Sequence, residues 1–535
     1  EIYMGDWSSD VCSSDLTSSA LFGLIGALWA LLCASPAANA DEVETLQAYA
    51  DVLDLRGTPK SAHDSTINAF FDQGAWHGYS LQSLPERRLG FVGPLLLARH
   101  SGTWMAERFA DMAIVDRRSG RTLDMSAASI RSSALPGRLV QRALLGDLTI
   151  QQTLIFSDER TALVRVELHS TRSTRLAVAV LGGSALDDSH YDAAGAAIVA
   201  TFPASAVVVR TLLPGTSATA KVEAGAGYRI SLDEDVALAA GETFSFYLVQ
   251  SCLLESGEGL QVPVKPALEF SANAARWNGY LRRAFHGSSS LMRESRYRRV
   301  AVKAIETLMS NWRSPSGDLR HDGLFPSYSN ADFNGFWAWD SWKHAAALAR
   351  FAPDLARNQI RAMFDYQAED GMIADVIYRD SKDNNWRNTK PPLAAWAVWE
   401  VYAATGDRDF VAEMLPKLMK YHRWWYAQRD HDRDGLAEYG STDGTRIAAA
   451  WESGMDNAVR FDNARMLRNG ERAWSLDQES VDLNSFLYLE KRRLADMAKV
   501  IGDDTAAATL RDEARLLEEQ DRKSTRLNSS HPYRS

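Results

Sequence analysis

A disulfide framework is missing from this 535-residue sequence. Of its three cysteines, Cys12 and Cys33 fall in the head and in an apolar leader, which leaves Cys252 alone. The core must therefore hold without staples. An excess of positive charge is missing too. Fifty-nine Lys and Arg stand against 69 Asp and Glu, a formal net charge of −10, which argues against a nucleic-acid partner. A membrane-length apolar run is also lacking. The run in "ALFGLIGALWALLCASPAANA" is uninterrupted only from Ala20 to Ala34, short for a bilayer. It ends in Ala38-Asn39-Ala40, a small-residue cleavage site. Residues 17–40 thus read as a secretory signal, and the mature chain is expected to be periplasmic or secreted, with no membrane attachment after cleavage. The head, 1–16, and the tail, 522–535, have no fold-like pattern. Both resemble translated adaptor sequence and are set aside.

What the chain does have is tryptophan, sixteen of them, and two halves with different periods. Between residues 42 and 270, β-branched runs such as "LTIQQTLIF", "TALVRVELHS" and "FSFYLVQSCL" are separated by Gly, Asp, Ser and Pro clusters. Near-regular spacing of such runs predicts an antiparallel β-sandwich. This half lacks clustered carboxylates and metal-ligand sets, so its expected role is structural or substrate-framing. After a linker at 271–295, apolar residues recur at the helical period through 296–521, in "SWKHAAALARFA", "PLAAWAVWEVYAATG" and "SVDLNSFLYLEKRRLADMAKVIG". "ATGDRD" and "VIGDDT" pair a Gly C-cap with an Asp cap of the next helix, as antiparallel hairpins need. "PLAAWAVWEVYAA" is apolar nearly all round and suits the inner layer of a ring. The expected architecture is multidomain, β then α: a sandwich followed by an incomplete (α/α)6 barrel carrying the catalysis. Six hairpins need twelve helices and about seven are readable, so the chain is expected to stop midway.

The polar, aromatic-rich stretches fall between helices, where such a ring collects its site. In "GFWAWDSWKH", Asp340 precedes a helical run and reads as its N-cap. Backbone N–H groups would then lower its pKa, making it a permanent acceptor for sugar hydroxyls, with Trp339 as stacking wall. Capping beside core tryptophans is the plainer alternative. In "NNWRNTKPP", Asn388 and Lys390 supply fixed donors before an inner helix, or merely a polar capping loop. In "AWESGMDNAVRFDN", Glu452 and Asp456 would face each other on a helix. A desolvated carboxyl beside a second carboxylate is held protonated, as a general acid requires. A solvated acidic loop is the alternative.

"DHDRDGLAEYG" alternates Asp430, Asp432 and Asp434, has Gly435 at the sixth position and Glu438 at the ninth. This is the spacing of a structural Ca2+ loop. The twelfth position is Ser441, so a ligand from elsewhere must complete the shell.

Together, "WAWDSWKHA", "RNTKPPLAAWAVWEVY", "RDHDRDGLAEYG", "WESGMDN" and "ESVDLNSFLY" resemble glycoside hydrolase family 63, inverting α-glucosidases that include bacterial periplasmic enzymes and processing oligosaccharide glucosidases. The likeness covers roughly residues 315–495. It implies Asp456 as general acid and Trp339 and Asp340 as holders of the sugar in the cleavage subsite. It also implies a Ca2+ site of Asp430, Asp432, Asp434, Glu438 and the Leu436 carbonyl, completed by Glu479. The family's general base has no match in this sequence. Inversion needs both groups, so the chain as given is expected to be inactive. The substrate expected is an oligosaccharide or small glycoside. Two other readings stay open: a polysaccharide lyase recruiting His344, Tyr328 and Arg387, and a sugar-binding protein without turnover.

Overall fold

The computed structural model describes residues 46–529 apart from 87, 100–101, 224–226, 256, 260–261 and 287–293. The head, the signal segment, Cys12 and Cys33 lie outside the described residues. All of the described chain belongs to one compact unit.

The first half is built on two antiparallel sheets. One runs in the order Ala218–Glu223, Gly227–Leu232, Thr174–Ala185, Ala106–Asp116, Arg121–Thr122, with Val236–Leu238 also paired to the third of these. The other runs His190–Ala194, Ala197–Phe202, Ser205–Leu212, Thr243–Leu253, Thr161–Ser170, Leu148–Asp158, Arg138–Leu145, Ser129–Leu135. The β-branched runs read from sequence are strands here. Their alternate residues, among them Ile114, Val178, Val180 and Ile230 from one sheet and Ile150, Leu154, Val164, Val166 and Leu248 from the other, share one buried core. Each such side chain contributes about 1.5–3 kcal/mol when fully buried. Gly182 pairs across strands with Tyr228, and a Cβ there would collide with the phenol ring.

The stretch expected to be a linker begins inside a helix, Pro266–Phe285, that docks onto the sandwich. Buried Asp72 takes Arg276 Nη1 at 3.0 Å, Arg276 Nη2 at 2.6 Å and the Trp277 indole at 2.8 Å. This strut carries the chain from sheet to helices.

In the second half, Ala338–Leu348 pairs with Pro353–Phe364, Ala394–Thr405 with Arg408–Gln428, and Val481–Ile501 with Asp504–Ser529. The first members of the three pairs stand side by side as an inner layer. Ala394–Thr405 touches four other helices, which is why its sequence is apolar nearly all round. Its end is Gly406 at φ +69°, and the Asp407 side chain caps the next helix at Phe410 N, 3.0 Å, as the "TGD" signal predicts. The last helix continues to Ser529, into the tail set aside above. Among the described residues no helix is long and apolar enough to cross a membrane.

Candidate active site

The loops at one end of the inner helices surround a cavity of about 1180 Å³. Strand Phe336–Trp337 pairs with Val376–Ile377 and brings Trp337, Asp375 and Tyr378 to its wall. The 384–390 loop adds Trp386, Arg387 and Lys390, and the far side carries Asp443, Trp451 and Asp456. The cavity thus gathers carboxylates, aromatic faces and cations from four separate loops.

Asp375 and Lys390 are both buried and form an ion pair at 3.2 Å. Asn385 Nδ2 donates to the other Asp375 oxygen at 2.9 Å. Burial pushes the Asp375 carboxyl up to about 6, against the pull of the Lys390 charge and the side-chain hydrogen bonds. Lys390 Nζ also donates to the Trp451 carbonyl, locking the 384–390 loop to the segment leading to Asp456. Asp375 was missed in the sequence. Its one signal was a lone acid inside the apolar run "MIADVI".

Glu452 departs from expectation. The helix that should carry it and Asp456 together, Arg446–Glu452, ends at Glu452, and Gly454 turns the chain at φ +69°. The two carboxylates therefore do not share a helical face. Glu452 is fully buried and saturated: Arg429 Nε at 2.8 Å, Arg429 Nη2 at 2.9 Å, Gly440 N at 2.6 Å and Thr389 N at 3.1 Å all donate to it. It has no oxygen free for a sugar, so its place is as a clamp beneath the site rather than in substrate binding. Asp456 lines the cavity but is exposed, not enclosed by an acidic neighbour.

Asp340 departs as well. The helix begins at Ala338 with Trp337 in the cap position, so Asp340 sits inside the first turn. Burial raises its pKa, and the charges of Lys343 and Lys390 pull it back. The expected lowering by N-cap hydrogen bonds is not what this position provides. Trp339 packs on the turn before Asp456, where a Cβ at Gly454 would strike its ring, while Lys343 Nζ sits 3.2 Å from its centroid. Trp339 and Asp340 are not among the residues that line the cavity; the Asp340 turn adjoins it through Trp339, which packs on the turn before Asp456. Asn388 is fully buried, with Nδ2 on the Thr389 carbonyl at 2.8 Å, and does not line the cavity. It shapes the loop rather than touching a ligand.

The alternating aspartates of the acidic loop converge. One oxygen from each of Asp430, Asp432 and Asp434 lies within 4.8 Å of the others. Loop amides close onto them: Asp434 N to Asp430 Oδ1 at 3.1 Å and Leu436 N to Asp434 Oδ1 at 2.8 Å. Gly435 takes φ +92°, which a side chain would resist. Strand Glu438–Ser441 pairs with Trp474–Glu479 so that Glu438 stands opposite Glu479. Burial and the neighbouring aspartates raise both, Glu438 to about 7. Five acids crowd here with mutual repulsion, the donor set and hardness that a calcium ion asks for.

Of the residues a lyase would use, Tyr328 is buried and His344 half-buried, both outside the residues that line this cavity, and desolvation lowers the His344 pKa to about 4. Arg387 lines the wall but is engaged by Asp443 at 2.6 Å.

Two family models match. Residues 334–524 match the mannosylglycerate hydrolase MGH1-like glycoside hydrolase domain, and 55–211 match the N-terminal region of glucosidase YgjK. A mannosylglycerate hydrolase from Thermus thermophilus is 31% identical over 183 residues, 30% of this chain and 40% of the relative. Mannosylglycerate hydrolase MGH2 from Selaginella moellendorffii is 28% identical over 148 residues, 24% of this chain and 29% of the relative. A glucosylglycerate hydrolase from Mycolicibacterium hassiacum is 27% identical over 159 residues, 24% of this chain and 34% of the relative. The chain spans less than half the length of these relatives.

Proposed function

We propose that this chain, whose kinship with the family 63 glycoside hydrolases both family models and the curated relatives bear out, hydrolyses α-glucosidic bonds in oligosaccharides or small glucosides with inversion of configuration. The observation that carries the reading is the single cavity onto which Asp456, the Asp375–Lys390 pair and Trp386 converge.

Asp456 is the proton donor to the glycosidic oxygen. Its place on an exposed turn at the cavity wall lets the leaving group reach it, and the sugar itself displaces water as it binds. Lys390, held by Asp375, faces the sugar from the cavity wall, and the resemblance to family 63 assigns Asp340 and Trp339, on the adjoining turn, to the cleavage subsite. A second carboxylate must activate water from the opposite face, at a separation of roughly 6.5–9.5 Å. That role is left unassigned among the described residues. Release of glucose from α-glucosides, followed by NMR of the anomer first formed, tests the reading. Where glucose is released a β-anomer is expected and a retained α-anomer contradicts the reading, whereas no release accords with the unassigned second carboxylate.

A structural Ca2+ belongs to the same reading, held by Asp430, Asp432, Asp434, the Leu436 carbonyl, Glu438 and Glu479. It would supply charge neutralisation to a loop that otherwise repels itself and would take no part in the chemistry. The signal-like segment 17–40 supports export to the periplasm or beyond.

A further inference from the structure

A second basin opens beside the first. It holds about 790 Å³ and shares Trp386, Thr442 and Arg472 with the catalytic cavity, so the two form one continuous trough. A single ligand site of drug size fills about 300–1,000 Å³, and the first cavity alone exceeds that range. The trough is longer than one sugar and a small aglycone require.

The lining of the outer basin has the chemistry of a sugar subsite. Tyr366, Trp386 and Trp424 give it aromatic surface, and Asp370 gives it a fixed acceptor. Asp370 is exposed yet anchored: Oδ1 takes Met372 N at 3.0 Å and Oδ2 takes the Trp424 indole at 3.2 Å. Flat aromatic faces stack on the apolar C–H face of a pyranose while such a carboxylate takes its hydroxyls. The charge selects among glycosides. With Asp443 paired to Arg387 and Asp375 to Lys390, Asp332, Asp383 and Asp456 remain in the inner cavity and Glu369 and Asp370 in the outer one, against Arg472 as the one further cation among the lining residues. This excess of carboxylate disfavours a substrate with an acidic end group.

We infer that the trough is a two-basin site for a neutral oligosaccharide, with Trp386 as the platform between the sugar at the point of cleavage and a remote sugar bound by Tyr366 and Asp370. The inference rests on the glycosidase reading above and adds the substrate class to it.

The test is calorimetric binding to the full chain carrying Asp456→Asn, using glucose and neutral α-gluco-oligosaccharides of two to four units in 1,2-, 1,3- and 1,4-linked series. In at least one series affinity is expected to rise tenfold or more from glucose to the trisaccharide. Asp370→Ala, outside the inner cavity, should remove much of that rise and leave glucose affinity unchanged. Trp386→Ala should flatten the series, and Trp386→Phe should restore most of it, with circular dichroism and melting to verify folding. Equal affinity at all lengths overturns the inference, as does tighter binding of glucosylglycerate than of any trisaccharide. Both results leave the glycosidase reading standing, whereas no binding of any sugar removes both.

Discussion

Arg429 and Glu452 are both fully buried and meet through two parallel hydrogen bonds, 2.8 and 2.9 Å. The pair joins the residue after one helix to the last residue of another, and the Asp456 turn starts two residues further on. Bidentate charge-assisted bonds of this kind are directional as well as strong.

Glu452→Gln is expected to be severe, because it strands the Arg429 charge in a dry site. Breaking one side of a buried pair costs about 3–5 kcal/mol. Urea unfolding of the variant should show that loss without a change in slope, and a loss below 1 kcal/mol would contradict the clamp.

Asp456→Asn tests chemistry rather than folding. The side chain is exposed, so stability should shift by no more than about 0.5 kcal/mol. Removing a general acid costs about 10²–10⁴ in rate. Any hydrolysis of α-glucosides by this sequence should fall by that factor with sugar binding retained, and unchanged turnover would refute the assignment.

Asp375 supplies a pH signature. Its folded pKa, about 6, lies above the ordinary 3.8. For an acid raised on folding, the stabilisation is complete below the unfolded value and is lost as pH rises toward the folded one. Wild type should therefore lose on the order of 3 kcal/mol relative to Asp375→Asn between about pH 4 and pH 6. The variant carries an offset from unpaired Lys390, but that offset is flat across this window. Parallel stability curves for the two proteins would count against the buried pair.

Gly454→Ala combines a left-handed backbone with a clash on Trp339. The backbone alone costs about 1 kcal/mol, and displaced Trp339 should weaken sugar binding as well. A melting scan with a binding isotherm reads both, and retention of both properties would show that the turn tolerates a side chain.

Calcium should raise the melting temperature in a saturable way. At a hundred times Kd, a ligand that binds only the folded chain stabilises it by about 2.7 kcal/mol. Asp432→Asn and Glu479→Gln should each weaken that response, and magnesium should replace calcium poorly because it prefers smaller, octahedral shells. A melting curve indifferent to calcium and to chelator would remove the ion from the proposal.

The order of sheet and helix, the hairpin caps at Gly406 and Gly502, and the spacing of the aspartate loop were legible because each depends on neighbours a few residues away. A Gly at a helix end or three alternating carboxylates carry their geometry with them. Helix ends near the site were less legible. Asp340 looked like a cap because it precedes "SWKH", yet the strand pairing of Trp337 with Val376 starts the helix three residues earlier.

By itself, then, the chain's sequence determined a β half followed by an α half, an acidic loop with calcium spacing, and a set of motifs akin to family 63. Only the tertiary structure decided which carboxylates are spent and which remain available. It paired Glu452 with Arg429 and Asp375 with Lys390, set Glu479 opposite Glu438, and left Asp456 at the cavity wall. The physical reason is that desolvation and charge pairing sum over groups close in space, here 15 to 41 residues apart along the chain, and local pattern has no access to that sum.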